Sequence, residues 1–365
     1  MQTNNDTFVD ESLADNGGLL PVKQNFRLSG EVIFRFLIER VPEFQQLHEI
    51  RQQGWNNPQG DEYFRQQREQ ADKADTRTAR IFYAMMQKIG QEIHLATNAF
   101  LIQKDDLSQP KVLDMCMAPG GYLETALKQN PKARAVGFSL PVESGGHRVL
   151  LPGNHGVELR LLDITMLAED MGVTDVPVEH PEHAKFLPRQ LNPEDLFDLV
   201  LCDGQVLRTH SRADYREKRE ARRLTLTQLA LGLEHTRPGG TMVVLLHKLE
   251  AWDTVLLLYT FRAFATVTLF KPTTSHAKRS SFYMVAKNIQ NRQAEATHAI
   301  ERWKAIWKAA TLKNDEEYWT ALRQGEPSVE KVLDEFGPEL VGMGKVIWAT
   351  QAKALAKAPF IKKKP

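Results

Sequence analysis

Short apolar segments alternate with helical patterns along the middle of the chain, and this alternation restricts the possible folds more than any other feature. The intervening segments, such as residues 215–235 and 252–263, have helical periodicity. Six of the short apolar segments are predicted to be strands: KVLDMCM, ARAVGFSL, VELRLLDI, FDLVLCDG, GTMVVLLHKL and FATVTLF. Strands that alternate with helices predict an α/β fold with a mostly parallel sheet. A last segment, SSFYMVAKN, follows a basic loop and is expected to return as an antiparallel strand.

The regions on either side of this pattern are predicted to be mainly helical. Residues 1–29 are polar and are expected to form a partly disordered leader. Apolar residues recur at near-helical spacing over residues 31–53, where Pro42 is expected to kink or split the helix, and residues 61–96 predict one longer helix. From residue 294 the helical pattern returns. We therefore predict an N-terminal extension over residues 1–75, an α/β domain over 76–290 and a helical C-terminal extension with a basic tail over 291–365.

Composition excludes several classes of protein. The chain has 47 basic and 46 acidic residues, so any nucleic-acid binding must come from a local basic patch. No apolar run is long enough to span a membrane, and no membrane partner is expected. Cys116 and Cys202 are the only cysteines, and they lack zinc-ligand spacing. We expect a reducing compartment, cytoplasm or nucleus, and no bound metal.

A glycine-rich turn, DMCMAPGGY, follows the first predicted strand and opens into a helix. Open α/β sheets bind ligands at the carboxyl ends of their strands, and glycines let a ligand approach the backbone. The turn lacks both G-x-G-x-x-G and the P-loop motif, which argues against a dinucleotide or a polyphosphate. A polar, uncharged part of a ligand fits better, although a tight turn alone would have the same residues.

Six segments resemble, in order and spacing, motifs of the FtsJ-like ribose 2′-O-methyltransferases. LDMCMAPGGY resembles the turn that binds S-adenosylmethionine, and FDLVLCDG resembles the strand with the catalytic aspartate. The others are AVGFSLP, LLDIT, VVLLHKL and the closing hairpin LFKPTTSHAKRSSFYMVAKN. The resemblance covers about residues 76–290. It implies a Rossmann-like methyltransferase fold, S-adenosylmethionine as cofactor and RNA as the partner.

The resemblance also implies roles for individual residues. Gly120, Gly121 and Tyr122 would line the methionine and ribose of the cofactor, and Ser139 and Leu140 would lie near its ribose and adenine. Asp163 and Ile164 would flank the adenine, although Asp163 could merely cap a helix, and Tyr122, Leu140 and Ile164 could be packing residues. The complete predicted cofactor set is Asp114, Ala118, Pro119, Gly120, Gly121, Tyr122, Ser139, Leu140, Asp163, Ile164 and Asp203.

The family's Lys-Asp-Lys-Glu catalytic set is incomplete in this sequence. Asp203 and Lys248 close apolar strands and match the second and third members, so both are predicted to be catalytic. Ser281 stands where the family has glutamate. The first lysine is expected near Tyr83 or Ala84, and Lys88 could reach the same side. A ribose hydroxyl is a weak nucleophile whose proton must leave in the transition state, which is the task of such a set.

The substrate side of the site is less defined by the sequence. The segment Arg208–Arg223 has seven basic residues and follows Asp203, so it could contact RNA phosphates or simply form a solvated helix face. The loop with Lys271, His276, Lys278 and Arg279 is expected on the same rim. His180 and His183 lie in a proline-rich insertion, residues 168–195, that is expected on the surface. Three functions therefore remain open: RNA ribose methylation, methylation of a small-molecule oxygen, and cofactor or RNA binding without turnover.

Overall fold

The structure of the protein is a computed structural model that describes residues 21–72, 76–103, 108–153 and 156–361. The predicted leader over residues 1–20 lies outside the described residues. The first helix begins at Pro21, so the expectation of irregular structure through residue 29 was wrong for its last part.

Seven strands form one sheet, and the strand-forming segments predicted from the sequence are confirmed. The strands are β1 (Lys111–Asp114), β2 (Arg134–Ser139), β3 (Val157–Leu161), β4 (Phe197–Cys202), β5 (Thr236–His247), β6 (Thr266–Phe270) and β7 (Ser281–Ile289). Their order in the sheet is β3-β2-β1-β4-β5-β7-β6. The first five pair in parallel, whereas β7 is antiparallel to both β5 and β6. The predicted Rossmann-like sheet, mostly parallel with one antiparallel strand, is thus confirmed.

Eleven α-helices within the described residues surround and extend this sheet. They are α1 (Pro21–Arg40), α2 (Pro42–Trp55), α3 (Pro58–Asp72), α4 (Thr76–Thr97), α5 (Gly121–Gln129), α6 (Asp214–Glu217), α7 (Glu220–Glu234), α8 (Trp252–Phe261), α9 (Ala294–Leu312), α10 (Asp315–Arg323) and α11 (Val329–Leu355). Pro42 separates α1 from α2, as its missing N–H and ring predict. The helix predicted over residues 61–96 corresponds to parts of α3 and α4, and residues 73–75 between them lie outside the described residues. No helix in the described parts of the chain is long and apolar enough to cross a bilayer.

The N- and C-terminal helices pack together. Phe44 of α2 contacts Trp348 of α11 with ring centroids 5.4 Å apart, and Phe64 of α3 contacts Phe360 at 5.6 Å. Buried residues of α1, α2 and α11 belong to the same apolar core as the strands and α8. The extensions therefore join one face of the sheet. The predicted boundaries at residues 75 and 290 stay a prediction.

The proline-rich insertion, residues 168–195, has irregular structure but is not simply a surface loop. Met171, Val173 and Leu191 are buried in the core. The buried carboxylate of Asp170 accepts hydrogen bonds from the backbone N–H groups of Gln190 and Leu191. These bonds satisfy backbone donors that irregular structure would otherwise leave unpaired.

Candidate functional site

The glycine turn connects the end of β1 to the start of α5, and its two glycines serve different purposes. Gly120 has φ of +108°, a conformation that disfavours residues with a Cβ atom. At Gly121 an added Cβ would lie 2.5 Å from the carbonyl oxygen of Tyr83 in α4. Gly120 thus sets the turn, whereas Gly121 allows the close packing of α4 against α5.

Two carboxyl groups lie next to this turn, of which Asp114 is buried and Asp203 is half-buried. Asp114 ends β1, and Asp203 follows β4, which is the neighbouring parallel strand. The Oδ2 atom of Asp114 and the Oδ1 atom of Asp203 are buried without a hydrogen-bond partner. Burial raises the pKa of Asp203 to about 7. Burial and the charge of Asp203 together raise the pKa of Asp114 well above its usual range. The floor of the site therefore has acceptor oxygens without partners and two carboxyl groups that lack a compensating positive charge. A cationic ligand would supply that charge and favour their ionised forms.

Two tyrosines form a hydrogen-bonded pair beneath the turn. The hydroxyl groups of Tyr122 in α5 and Tyr283 in β7 hydrogen-bond to each other, and both side chains are buried. Burial raises the pKa of both phenols, and the charge of Asp203 contributes in each case. Tyr122 is therefore a packed residue whose hydroxyl group joins the polar floor. Sequence reasoning missed Tyr283, because only strand pairing brings β7 next to this turn.

The residues predicted to contact the ribose and adenine follow β2 and β3. Ser139 is buried, and its carbonyl oxygen accepts a hydrogen bond from the N–H of Leu162. Leu140 is half-buried, whereas Ile164 is part of the core. A ligand can therefore be contacted by backbone atoms of the residues that follow β2 and β3. The side chain of Ile164 is less available because it packs in the core.

Asp163 is engaged in several interactions within the protein. It caps the short 3-10 helix Ile164–Met166 by accepting a hydrogen bond from the N–H of Thr165. Its other carboxylate oxygen pairs with Arg216 at 3.2 Å and with His210 at 3.4 Å. Burial works to raise the pKa of Asp163, but the hydrogen bond from His210 and the charge of Arg216 outweigh it and hold that pKa well below its usual range. Its predicted role at the adenine stays a prediction.

Asp163, His210 and Glu220 form the only grouping of potential metal ligands in the described parts of the chain. Arg216 and Arg223 pair with its two acids. His180 lies elsewhere, with Nε2 3.2 Å from the carbonyl oxygen of Thr311. The His180 ring also packs against Phe186 and Tyr215. These histidines therefore have structural contacts.

The two predicted catalytic residues follow neighbouring parallel strands at different levels. Cys202 of β4 pairs in register with Val244 of β5, so Asp203 lies next to Leu245. Lys248 is three residues beyond Leu245 along the chain. Lys248 is half-buried and has φ of +45°, a conformation that is uncommon for residues with a Cβ atom. Its positive charge contributes to holding the pKa of Glu250 below the usual range.

The other two positions of the family's catalytic set have no matching charged pair. Ser281 is buried opposite His247 in β5, and its hydroxyl oxygen has no hydrogen-bond partner. Tyr83 donates a hydrogen bond to Glu124 of α5. Ala84 and Lys88 are exposed on α4. The residues that hold α4 against the turn thus provide no basic side chain for the first lysine position of the catalytic set.

Most of the basic residues in the segment Arg208–Arg223 pair with acids of the protein, so the RNA-contact alternative was wrong for most of them. Arg223 is fully buried and pairs with Glu220 at 2.7 Å, and Arg216 contacts Glu182 at 3.2 Å. Further along the same face, Arg219 pairs with Asp315 and Arg222 with Asp253. The arginines hold α6 and α7 against neighbouring loops and the C-terminal helices. Sequence reasoning missed Glu182, Asp253 and Asp315 because they lie outside the segment.

The basic loop between β6 and β7 differs from its prediction in the same way. Lys271 is buried, and its ammonium group donates hydrogen bonds to the carbonyl oxygens of His276, Arg279 and Ser281. Lys278 packs on the ring of Tyr63 at 5.2 Å. At least two of the four predicted rim residues therefore stabilise the loop itself.

A comparison with protein families supports the interpretation of the glycine turn and the strand ends. The profile of the FtsJ-like methyltransferases matches residues 91–289, which is more than half of the chain. The chain belongs to the FtsJ-like methyltransferase family. No curated protein sequence matches it significantly.

Solved structures similar to this FtsJ-like protein are methyltransferases with low sequence identity. An rRNA methylase from Streptococcus thermophilus has 13% identity and a TM-score of 0.31, with 54% of this chain and 96% of that chain covered. Human methyltransferase-like protein 13, in complex with SAH, has 12% identity and a TM-score of 0.32, with 65% and 94% covered. The fibrillarin/Nop5p complex has 11% identity and a TM-score of 0.31, with 51% and 76% covered.

S-adenosylmethionine is the methyl donor of this FtsJ-like protein, and the residues at the turn fit it. Its sulfonium and ammonium groups are cationic, whereas the buried oxygens of Asp114 and Asp203 lack partners. Gly120 and the backbone of residues 118–120 supply a surface without bulky side chains. Leu151 borders the turn, because an added Cβ at Gly120 would lie 3.2 Å from the Leu151 Cβ atom. The bound cofactor supplies an electrophilic methyl group, and the carboxylates of Asp114 and Asp203 would stabilise its positive charge.

Cofactor affinity is expected to fall as the pH is lowered below 7. A cationic ligand binds better to ionised Asp203, whose pKa is about 7, so protonation at lower pH weakens binding by up to about tenfold per pH unit. Calorimetry from pH 5.5 to 8 should show this decline and proton release on binding near pH 7. Asp203→Asn should remove most of it. S-adenosylhomocysteine, which lacks the sulfonium charge, is the control, and an equally steep pH dependence for both ligands would contradict the assignment.

Proposed function

We propose that this FtsJ-like methyltransferase transfers a methyl group to the 2′-hydroxyl group of an RNA ribose. The resemblance of six ordered segments to ribose 2′-O-methyltransferases supports this substrate. Asp203 is proposed to lie near the transferable methyl group, and Lys248 to assist loss of the hydroxyl proton. Holding the hydroxyl oxygen about 3 Å from the methyl carbon would contribute much of the rate acceleration.

The observation that carries the RNA part of the proposal is an exposed basic stripe on α4. Arg77, Arg80 and Lys88 are exposed at positions three and eight residues apart, which places them on one face of the helix. None of the three forms an ion pair with an acid in the described part of the chain. The helix contacts the glycine turn directly, since Gly121 packs against the backbone of Tyr83. Unpaired cations beside the cofactor turn suit a phosphate backbone.

The stripe continues towards other loops of the site. Phe82 contacts the ring of His147 with centroids 6.4 Å apart, and Arg148 is exposed next to it. At the other end, Glu92 accepts a hydrogen bond of 3.0 Å from the N–H of Thr273, in the loop between β6 and β7. An RNA strand on the stripe would therefore lie between the loop after β2 and the loop before β7.

Methyl transfer to RNA should follow the charge of this stripe. With labelled S-adenosylmethionine and total RNA, nuclease digestion should release 2′-O-methylnucleosides. Replacing Arg77, Arg80 and Lys88 by alanine should weaken RNA binding and reduce the magnitude of the salt slope by about two to three charges. Cofactor affinity should not change, because none of these side chains contacts the turn.

The matched control replaces three exposed lysines on the C-terminal helices, Lys308, Lys331 and Lys345. It removes the same charge, so an equal loss of RNA affinity would mean that the stripe has no special role.

A small-molecule oxygen acceptor is the second candidate, because Ser281 replaces the family's glutamate and most of the Arg208–Arg223 segment is paired internally. Label transfer to a small-molecule extract but not to RNA would favour it.

A further inference from the structure

The turn that carries Lys248 is held in an unusual conformation. Lys248 has φ of +45°, a region that few residues other than glycine, asparagine and aspartate adopt. Its N–H donates a 3.2 Å hydrogen bond to the carbonyl oxygen of Ser280, and its own carbonyl oxygen accepts a 2.8 Å bond from the N–H of Ala251. Such a conformation persists only where surrounding contacts fix it, so these contacts determine where the ammonium group points.

An ion pair connects this turn to the N-terminal helices. The guanidinium of Arg51, in α2, lies 2.5 Å from Glu250, which is two residues after Lys248. Both side chains are largely shielded from solvent, with 14% and 15% of their surface exposed. Arg51 also donates a 3.0 Å hydrogen bond to Gln351 of α11. Arg51 thus connects three elements: α2, which contains it, α11, to which it donates a hydrogen bond, and the turn that carries Lys248.

The same helices hold the loop on the other side of Lys248. The side-chain amide of Gln351 donates a hydrogen bond of 3.3 Å to the carbonyl oxygen of Lys278. Lys278 in turn contacts Tyr63 of α3. Because Ser280 accepts the hydrogen bond from the Lys248 N–H, the two fixed segments meet at Lys248.

Charges at Glu250 link this arrangement to Lys248 itself. Burial works to raise the pKa of Glu250, but the charges of Arg51 and Lys248 outweigh it and keep that pKa below its usual range. Lys271, on the loop after β6, also interacts electrostatically with Glu250. Glu250 is thus a carboxylate that interacts electrostatically with Lys248 as well as with Arg51.

We propose that Arg51 and Glu250 are positioning residues for Lys248, through which the N- and C-terminal helices set the geometry of the methyl-transfer site. This inference rests on the proposed function, because it takes Lys248 as the residue that assists the reaction. Arg51 fixes Glu250 through their ion pair. Glu250 in turn anchors the turn and interacts with the positive charge of Lys248. The helical extensions are accordingly part of the catalytic apparatus.

Arg51→Met should lower kcat by about 10²-fold, the effect of a small misplacement of a reacting group, while KM for RNA and cofactor affinity change little. Without Arg51, burial raises the pKa of Glu250. As the pH is lowered, the variant should therefore lose activity at a higher pH than the wild type does. Arg51→Lys keeps the charge and should recover part of the rate. The double variant Arg51→Met/Glu250→Gln lacks the Glu250 carboxyl group. The acid limb of its pH–rate profile, where the rate falls as the pH is lowered, should therefore return to the wild-type position.

Arg262→Met is the matched control, because Arg262 also joins the sheet domain to α11, through Glu335 and Glu339, without contacting the Lys248 turn. It should leave kcat within about twofold of wild type. An equal loss in this variant, or an unshifted acid limb in Arg51→Met, would overturn the proposal.

Hydrogen–deuterium exchange of the peptide over residues 245–252 gives a second measurement that needs no substrate. Arg51→Met should speed exchange there by about tenfold and Arg262→Met should not. If the wild-type protein methylates no RNA, the proposed function fails, and the exchange result alone decides whether Arg51 holds the turn. Unchanged exchange in Arg51→Met would overturn this inference even in an active enzyme.

Discussion

Lys248→Ala is expected to slow methyl transfer by at least about 10²-fold, the usual contribution of a positioned acid–base group. Cofactor affinity should stay the same, because Lys248 follows β5 and lies three residues beyond the level of Asp203. The loss should therefore appear in kcat, measured with saturating RNA and S-adenosylmethionine, and calorimetry should give the wild-type dissociation constant for the cofactor.

Two further substitutions separate the role of the ammonium group from that of the backbone. Lys248→Gly removes the same side chain but adopts φ of +45° without steric cost, so it should be as inactive as alanine if the side chain matters. Lys248→Arg keeps the charge and should still fail to restore the rate, because a guanidinium retains its proton and has a different shape. Wild-type turnover in the alanine variant would remove Lys248 from the proposed mechanism.

Arg223→Met is expected to destabilise the protein by about 3–5 kcal/mol, because it leaves Glu220 with less compensation for its buried charge. The guanidinium of Arg223 also donates hydrogen bonds to the Thr165 carbonyl oxygen at 2.9 Å and the Thr311 hydroxyl at 3.0 Å. These bonds join α7 to the turn after β3 and to α9. Chemical denaturation should show the loss in the free energy of unfolding.

Lys218→Ala is the control within the same segment, since Lys218 is exposed. It should change stability by no more than about 0.5 kcal/mol. Adding Glu220→Gln to Arg223→Met removes the buried charge that Arg216 alone would compensate, and it should recover part of the lost stability. If Arg223→Met instead left stability unchanged and reduced the salt slope of RNA binding, the segment would be an RNA surface after all.

The order of elements and the glycine turn could be predicted from the sequence because their signals are local. Strand and helix periodicity appears within about ten residues, and a glycine at φ of +108° is needed within a single turn. The acids at the ends of β1 and β4 were predictable for the same reason. A charged residue that closes an apolar strand of a parallel sheet lies at the ligand edge.

The partners of charged residues could not be predicted in the same way. Arg216 and Arg223 look like a basic surface in the sequence, but their carboxylates come from positions as distant as Asp163 and Glu182. Burial and pairing depend on which segments meet, and no local pattern determines that. Lys271 was misassigned for the same reason, since its three carbonyl acceptors lie on a loop that folds back around it.

The sequence by itself determined the class of fold, the methyltransferase family and the edge of the sheet where the cofactor site is predicted. Tertiary structure decided which residues complete that edge. It brought Tyr283 beneath the turn by pairing β7 with β5, and it brought Arg51 from α2 to the turn that carries Lys248. The physical reason is that strand periodicity is encoded locally, whereas packing and electrostatic compensation arise only between segments that are remote in the chain.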